Sequence, residues 1–399
     1  MKSRAREWRQ GLFLASVSTA LALVLTEGAA RLLLRPAPAG AGPGTPISEL
    51  SPTLGWRVRA GGSQRIRRED FEVTVSINGA GLRGPEIPYD PGPGVRRLAI
   101  MGDSFAHGYY AEEPETLRGR LAGALQPCRI DVINAGSPGY STDQEWLYFD
   151  EEISRYRPSE VLLLFYYNDL HFNLERVGTA NRSKPMFEQK DGALELVPPV
   201  ITPQLPTNEA ATSGEAPVAP RFRGSALLAY AAVRMQRSRP DWARSLSRYG
   251  LAPPLSTEPP AEYLPFGPKG RREEQRVEEM WERTTQILGR FRDDVRNRGA
   301  HLSVFYVPAR FETNDEAWTF LRRRYDDDRP WARDAVRKRL TGVLGTLAIP
   351  LVDTTTAFRA AERTRNRAYL AVDGHWNGHG NEIAFEGVLP MMRNTLACG

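Results

Sequence analysis

Cysteine is nearly absent from the chain, with Cys128 and Cys398 the two copies in 399 residues. That scarcity excludes a disulfide framework and leaves a single bridge open, provided the compartment is oxidising. Histidine is also sparse, at five copies. Neither residue type recurs at a metal-ligand spacing, so the sequence implies no metal site and no cofactor; Asp373, His375 and His379 stand close together without that spacing. Charge of one sign is not concentrated either. The 53 Lys and Arg exceed the 48 Asp and Glu, but the excess is spread along the chain with no finger, helix-turn-helix or aromatic single-strand signature. Nucleic acid is therefore not an expected partner, and anionic lipid headgroups or an acidic polysaccharide are the more economical use of the charge.

A long uncharged apolar run marks the amino terminus, from Gly11 to Thr26, behind Lys2, Arg4, Arg6 and Arg9. A basic flank before the first apolar segment places the amino terminus in the cytoplasm and exports the remainder of the chain. Two readings compete, an uncleaved signal anchor and a signal peptide cleaved near Gly28-Ala29-Ala30. The anchor is favoured because Glu27 and Arg31 spoil the cleavage region and Leu32-Leu33-Leu34 continues the helical pattern. The expected organisation is a cytoplasmic basic segment (1–10), a transmembrane anchor (11–34), a Pro/Gly/Ala linker (35–50), an antiparallel strand element (51–96) and a catalytic α/β domain (97–399). An insertion at 171–266 interrupts that domain; its Pro-rich part, 198–220, reads as a mobile loop or a lid and 221–239 as a helix ended by Pro240.

Within the α/β domain, three short apolar runs each end in small or polar residues. Leu98-Ala99-Ile100-Met101 leads into Gly102-Asp103-Ser104-Phe105, Ile130-Asp131-Val132-Ile133 into Asn134-Ala135-Gly136, and Val161 to Tyr166 into Tyr167-Asn168-Asp169. These are strands of a sheet buried on both faces, and ligands collect at the carboxyl ends of such strands. Ser104, Gly136 and Asn168 are thereby expected along one crevice. Near the end of the chain stands Asp373-Gly374-His375-Trp376-Asn377. A serine needs an imidazole to take its proton, and the imidazole needs an acceptor to set its tautomer; Ser104, His375 and Asp373 supply that set if the loop turns back at Gly374. Asp103 is expected to hold the nucleophile turn. Asn168-Asp169 can also be read as a plain capping pair, and His107 and His379 as pocket or cap residues. A helix over 271–298 and a strand over 302–307 continue the βα pattern, followed by a last strand at 347–352 that contains Pro350.

These blocks resemble the SGNH, or GDSL-type, hydrolases over residues 96–175 and 345–397. The resemblance implies a three-layer α/β/α fold with a flavodoxin-like parallel sheet, Ser104 as nucleophile, His375 as base and Asp373 as its acid. It implies an oxyanion hole from the Ser104 N–H, the Gly136 N–H and the Asn168 amide, with Asp103 and Asp169 in support. One residue, not the usual two, separates acid from base, and Trp376 follows. That block looks like the variant in SGNH-like enzymes that acetylate or deacetylate bacterial exopolysaccharides. The expected function is a serine esterase acting on a short acyl ester, on a small molecule or a polysaccharide. Acetyl transfer to an envelope or secreted polysaccharide is the alternative, and a catalytically silent carbohydrate-binding or assembly protein the second.

Overall fold

The computed structural model describes residues 2–33, 41–45, 47–68, 70–201, 225, 227–228, 231, 234–235, 239–248, 258–325 and 328–398. The chain divides into two units, one of residues 1–39 with 213–257 and the other of 40–212 with 258–399. In the first, a helix spans Lys2–Leu33, and its stretch Phe13–Arg31 is long and apolar enough to cross a membrane, at a mean hydropathy of 1.6. Glu27 near its end is satisfied within the same unit: its carboxylate accepts from the Ser225 hydroxyl (2.8 Å) and the Leu227 N–H (3.1 Å) and pairs with Arg31 (2.8 Å).

The second unit is built on a five-stranded, wholly parallel sheet. Its strands are β6 (Arg96–Gly102), β7 (Ile130–Gly136), β8 (Glu160–Phe165), β11 (His301–Tyr306) and β12 (Leu351–Asp353), in the order β12-β11-β8-β6-β7. Alternation in β6 shows why these apolar runs become interior strands. Leu98 and Ile100 enter one hydrophobic cluster and Ala99 and Met101 the other, so both faces are covered. The helix Arg271–Asn297 covers one face with Val277, Met280, Trp281, Leu288 and Phe291. The terminal helix Gly378–Thr395 covers the other with Ile383, Ala384, Val388 and Met392. Three layers result, as expected, and the strand order reverses between β6 and β8, where an open α/β sheet has its crevice.

Thr284 faces the core on the long helix, and Thr285 turns its hydroxyl back to the Trp281 carbonyl (2.7 Å). One local expectation is adjusted. The last strand starts only after Pro350, because proline cannot donate to a ladder, and it lies at the sheet edge paired with β11.

Ahead of the sheet come β1 (Ala41–Thr45), β2 (Ser48–Ser51), β3 (Gly55–Val58), β4 (Ser63–Arg67) and β5 (Glu72–Ser76). They form two antiparallel sets, β1-β4-β5 and β2-β3, the first around Ile66, Val73 and Val75. Within the insertion, β9 (Met186–Lys190) and β10 (Ala193–Val197) form a hairpin, which turns at Asp191 and Gly192, both at positive φ. Residues 202–220 of the expected lid lie outside the described residues, as does most of the expected helix at 221–239. Its described positions 227, 228, 231, 234 and 235 are helical.

Candidate active site

The turn after β6 sets the position of Ser104. Gly102 closes the strand at φ 146°, where a Cβ would press on Ala106 Cβ (2.8 Å) and Leu164 Cβ (2.9 Å). Asp103 then caps the short helix Ser104–His107, its Oδ1 accepting the Phe105 N–H at 2.8 Å, and Gly108 ends the helix at φ 72°. Asp103 is almost fully buried, and burial pushes its carboxyl up to about 6.

The partners arrive from a loop more than 250 residues later. A hairpin closed by the Leu370 N–H to His375 carbonyl bond (2.8 Å) and the Asn377 N–H to Ala368 carbonyl bond (3.0 Å) carries Asp373 and Gly374 at its tip. Gly374, at φ 85°, supplies the return. Ser104 Oγ lies 2.8 Å from His375 Nε2, while His375 Nδ1 is hydrogen-bonded to Asp373 Oδ1. Ser104, His375 and Asp373 thus form one chain of hydrogen bonds. Phe105 (ring centroids 4.6 Å apart) and Tyr110 (3.9 Å) stack on the imidazole and restrict its rotation.

A cleft of about 180 Å³ opens at Ser104, lined also by Phe105, Gly108, Tyr110, His375, Trp376 and Asn381. Gly136 and Asn168 are not among its lining residues. Gly136 does lie beside Gly102 in the sheet register, but its N–H donates to Asn134 Oδ1 at 3.0 Å. A Cβ there would collide with the backbone of Ala106 and His107. The glycine therefore permits close packing of the helix Ser104–His107 on β7.

Asn168 follows β8 and opens the short helix Asp169–Phe172, its carbonyl accepting from His171 and Phe172 N–H (both 3.0 Å). Its Oδ1 has no partner among the described residues. Asp169 holds the turn by accepting the Tyr166 N–H (3.2 Å). Burial, and secondly the charge of Asp103, raise its carboxyl well above the usual range. His107 is fully buried and its two ring nitrogens have no partner among the described residues; burial, then the neighbouring Arg83, push it well below the ordinary imidazole value. The His379 N–H joins that of Gly380 in donating to Asn377 Oδ1, which caps the terminal helix. Tyr110, Gly108 and Asn381 escaped the sequence reading, since no motif marks an aromatic six residues past a serine.

Residues 266–398 match the family described as SGNH hydrolase-like domain, acetyltransferase AlgX. The matched span contains Asp373 and His375, while Ser104, Gly136 and Asn168 precede it. No curated protein matches the chain. Among solved structures, it is similar to a catalytic mutant of an acetylxylan esterase from Geobacillus stearothermophilus, at 10% identity over 77% of this chain and 96% of that one, with a TM-score of 0.37. It is also similar to a lipase/acylhydrolase from Enterococcus faecalis, at 14% identity over 75% and 96% of the two chains, with a TM-score of 0.35. Likeness at that level carries no argument about activity.

Proposed function

We propose that the chain is a serine-dependent, ester-acting enzyme that takes a short acyl group, acetyl above all, from an ester of a carbohydrate. The observation that carries the reading is the 2.8 Å contact between Ser104 Oγ and His375 Nε2, with Asp373 on the far ring nitrogen. In this reading Ser104 Oγ attacks the ester carbonyl carbon while its proton passes to His375 Nε2, and Asp373 stabilises the imidazolium. Collapse of the tetrahedral intermediate expels the alcohol oxygen, which takes the proton from His375 and leaves an acetyl-enzyme. A second hydroxyl then gives its proton to His375 and attacks the acyl carbon, and the expelled Ser104 Oγ takes that proton back from His375.

The developing oxyanion calls for donors. The Ser104 N–H and the Asn168 amide are assigned that role. Gly136 can join them only if its N–H leaves Asn134, and removing one such donor typically costs about 3 to 4 kcal/mol. Hydrolysis and transfer share every one of these residues. Water as the second hydroxyl makes the chain an esterase; a sugar hydroxyl makes it an acetyltransferase, and the family description matched by residues 266–398 favours that second reading. The helix containing Phe13–Arg31 is assigned as a membrane anchor, with the catalytic domain that follows it extracytoplasmic. The basic residues before it and the Cys128–Cys398 bridge support this.

The test is acetate release by the full chain from an aryl acetate and from acetylated oligosaccharides, with and without unacetylated acceptor sugar. Ser104→Ala is expected to lower turnover at least about 1,000-fold. Acetyl sugar forming faster than free acetate would identify the transferase. Undiminished turnover by Ser104→Ala would remove the serine mechanism.

A further inference from the structure

The β4–β5 hairpin stands outside the five-stranded sheet, yet its turn reaches the site. Asp70 Oδ2 accepts the N–H of Val372 at 2.9 Å and that of Asp373 at 3.4 Å. Next to it, Phe71 packs edge-on against Tyr110 (centroids 5.0 Å), the ring that stacks on His375 at 3.9 Å. We infer that the hairpin tip, Asp70-Phe71, is a positioning element for the proton-relay arm, holding Asp373 through its backbone and His375 through the Tyr110 ring.

The loop itself shows why such a brace is needed. Residues 371–373 are exposed, and Gly374 has the freedom of a left-handed turn, so little within the loop fixes the direction of the Asp373 carboxylate. A carboxylate receiving two consecutive N–H groups makes charge-assisted bonds, stronger than neutral ones, and anchors the peptide plane from which the Asp373 side chain departs. The ring contact acts on the second member of the pair. Tyr110 is held between Phe71 and the imidazole, and a ring that cannot swing away keeps His375 Nε2 aimed at Ser104. Neither Asp70 nor Phe71 itself lines the cleft, so both act through other residues.

The inference rests on the relay assigned under Proposed function, and its test separates the two. In the full chain, Asp70→Ala is expected to lower kcat on the order of 10- to 100-fold with KM within about twofold, the scale of a misaligned catalytic group. Asp70→Asn keeps an acceptor oxygen and is expected to stay within about threefold of native. Phe71→Leu, which leaves the hydrogen bonds in place, is expected to lower kcat several-fold at unchanged KM, and it decides the matter if Asp70→Ala does not fold.

The readout independent of turnover is the His375 Nδ1–H resonance in protein labelled with 15N-histidine. It is expected far downfield in native and Asp70→Asn protein, and broadened or moved upfield in Asp70→Ala. A native resonance and kcat in Asp70→Ala would overturn the inference, as would a rise in KM at constant kcat, which would mean contact with substrate. If Ser104→Ala proved fully active, the relay would lose its catalytic role while the resonance comparison still reported whether the tip orients the pair.

Discussion

Asp103 illustrates how a single residue carries opposing demands. Its carboxyl is needed as an acceptor for the Phe105 N–H, which shapes the turn presenting Ser104, yet it is buried where a charge is costly. Burial raises its pKa from 3.8 to about 6. A carboxyl whose folded pKa lies above its unfolded one contributes stability that is fully present below the unfolded value and lost as pH rises through the folded one. Asp103→Asn keeps an acceptor and cannot ionise, so its melting temperature relative to native protein is expected to climb between about pH 4 and 7 and level off above. Thermal melts across that range check it, and a constant difference would mean that the burial cost is relieved elsewhere. Ser104, Asp373 and His375 could be singled out in the sequence because strand-end and loop patterns surround them, and the fold brings the three together. Gly136 was legible as a strand-end glycine, whereas the engagement of its N–H by Asn134 and the helix backbone above it depend on the folded molecule.

Between elements, the segment after the helix Ser104–His107 is tied down by one guanidinium. Arg83, 3% exposed, donates through Nη1 to the carbonyls of His107 (3.1 Å) and Gly108 and through Nη2 to that of Ala111 (2.6 Å). Those carbonyls bracket Tyr110. Burial holds the Arg83 pKa down to about 10, opposed by Glu113 and Glu112, which keeps it charged at neutral pH. A lysine ammonium has no planar fork and cannot span the same acceptors, so Arg83→Lys is expected to cost about 2 to 4 kcal/mol. Urea unfolding measures this, with a loss of turnover expected alongside it as the Tyr110 segment loosens. An unchanged midpoint would show that the brace is idle. The strands β6, β7, β8 and β11 and the helix Arg271–Asn297 were readable because each carries its own period, 2 with both faces apolar or 3.6 with one. The β9–β10 hairpin was not, for its residues are mostly exposed and lack strong alternation.

For the molecule as a whole, the Cys128–Cys398 bridge fastens the end of the chain to the start of β7, with Cα atoms 5.5 Å apart across 270 residues. Closing so long a loop restricts the unfolded chain, and the entropic account gives a stabilisation of up to about 5 kcal/mol. Replacing both cysteines by serine is expected to lower the melting temperature by several degrees, and adding dithiothreitol to native protein should reproduce the shift while leaving the double variant unmoved. Equal melting of native and variant protein would mean that the bridge adds nothing to the packed terminal helix.

Local patterning along the chain was enough for the layered α/β class and the parallel strands, because hydrophobic period is written locally, and it singled out Ser104, His375 and Asp373, which the fold brings into hydrogen-bonding contact. The folded molecule was needed to establish that Tyr110 stacks on His375, that Asn134 occupies the Gly136 N–H, and that Asp70 accepts the N–H of Asp373 from 303 positions away. Those facts depend on which distant surfaces meet when the antiparallel element and the terminal hairpin pack at the carboxyl edge of the sheet. No spacing along the chain encodes such a meeting, since it is fixed by the packing of both segments on a common core.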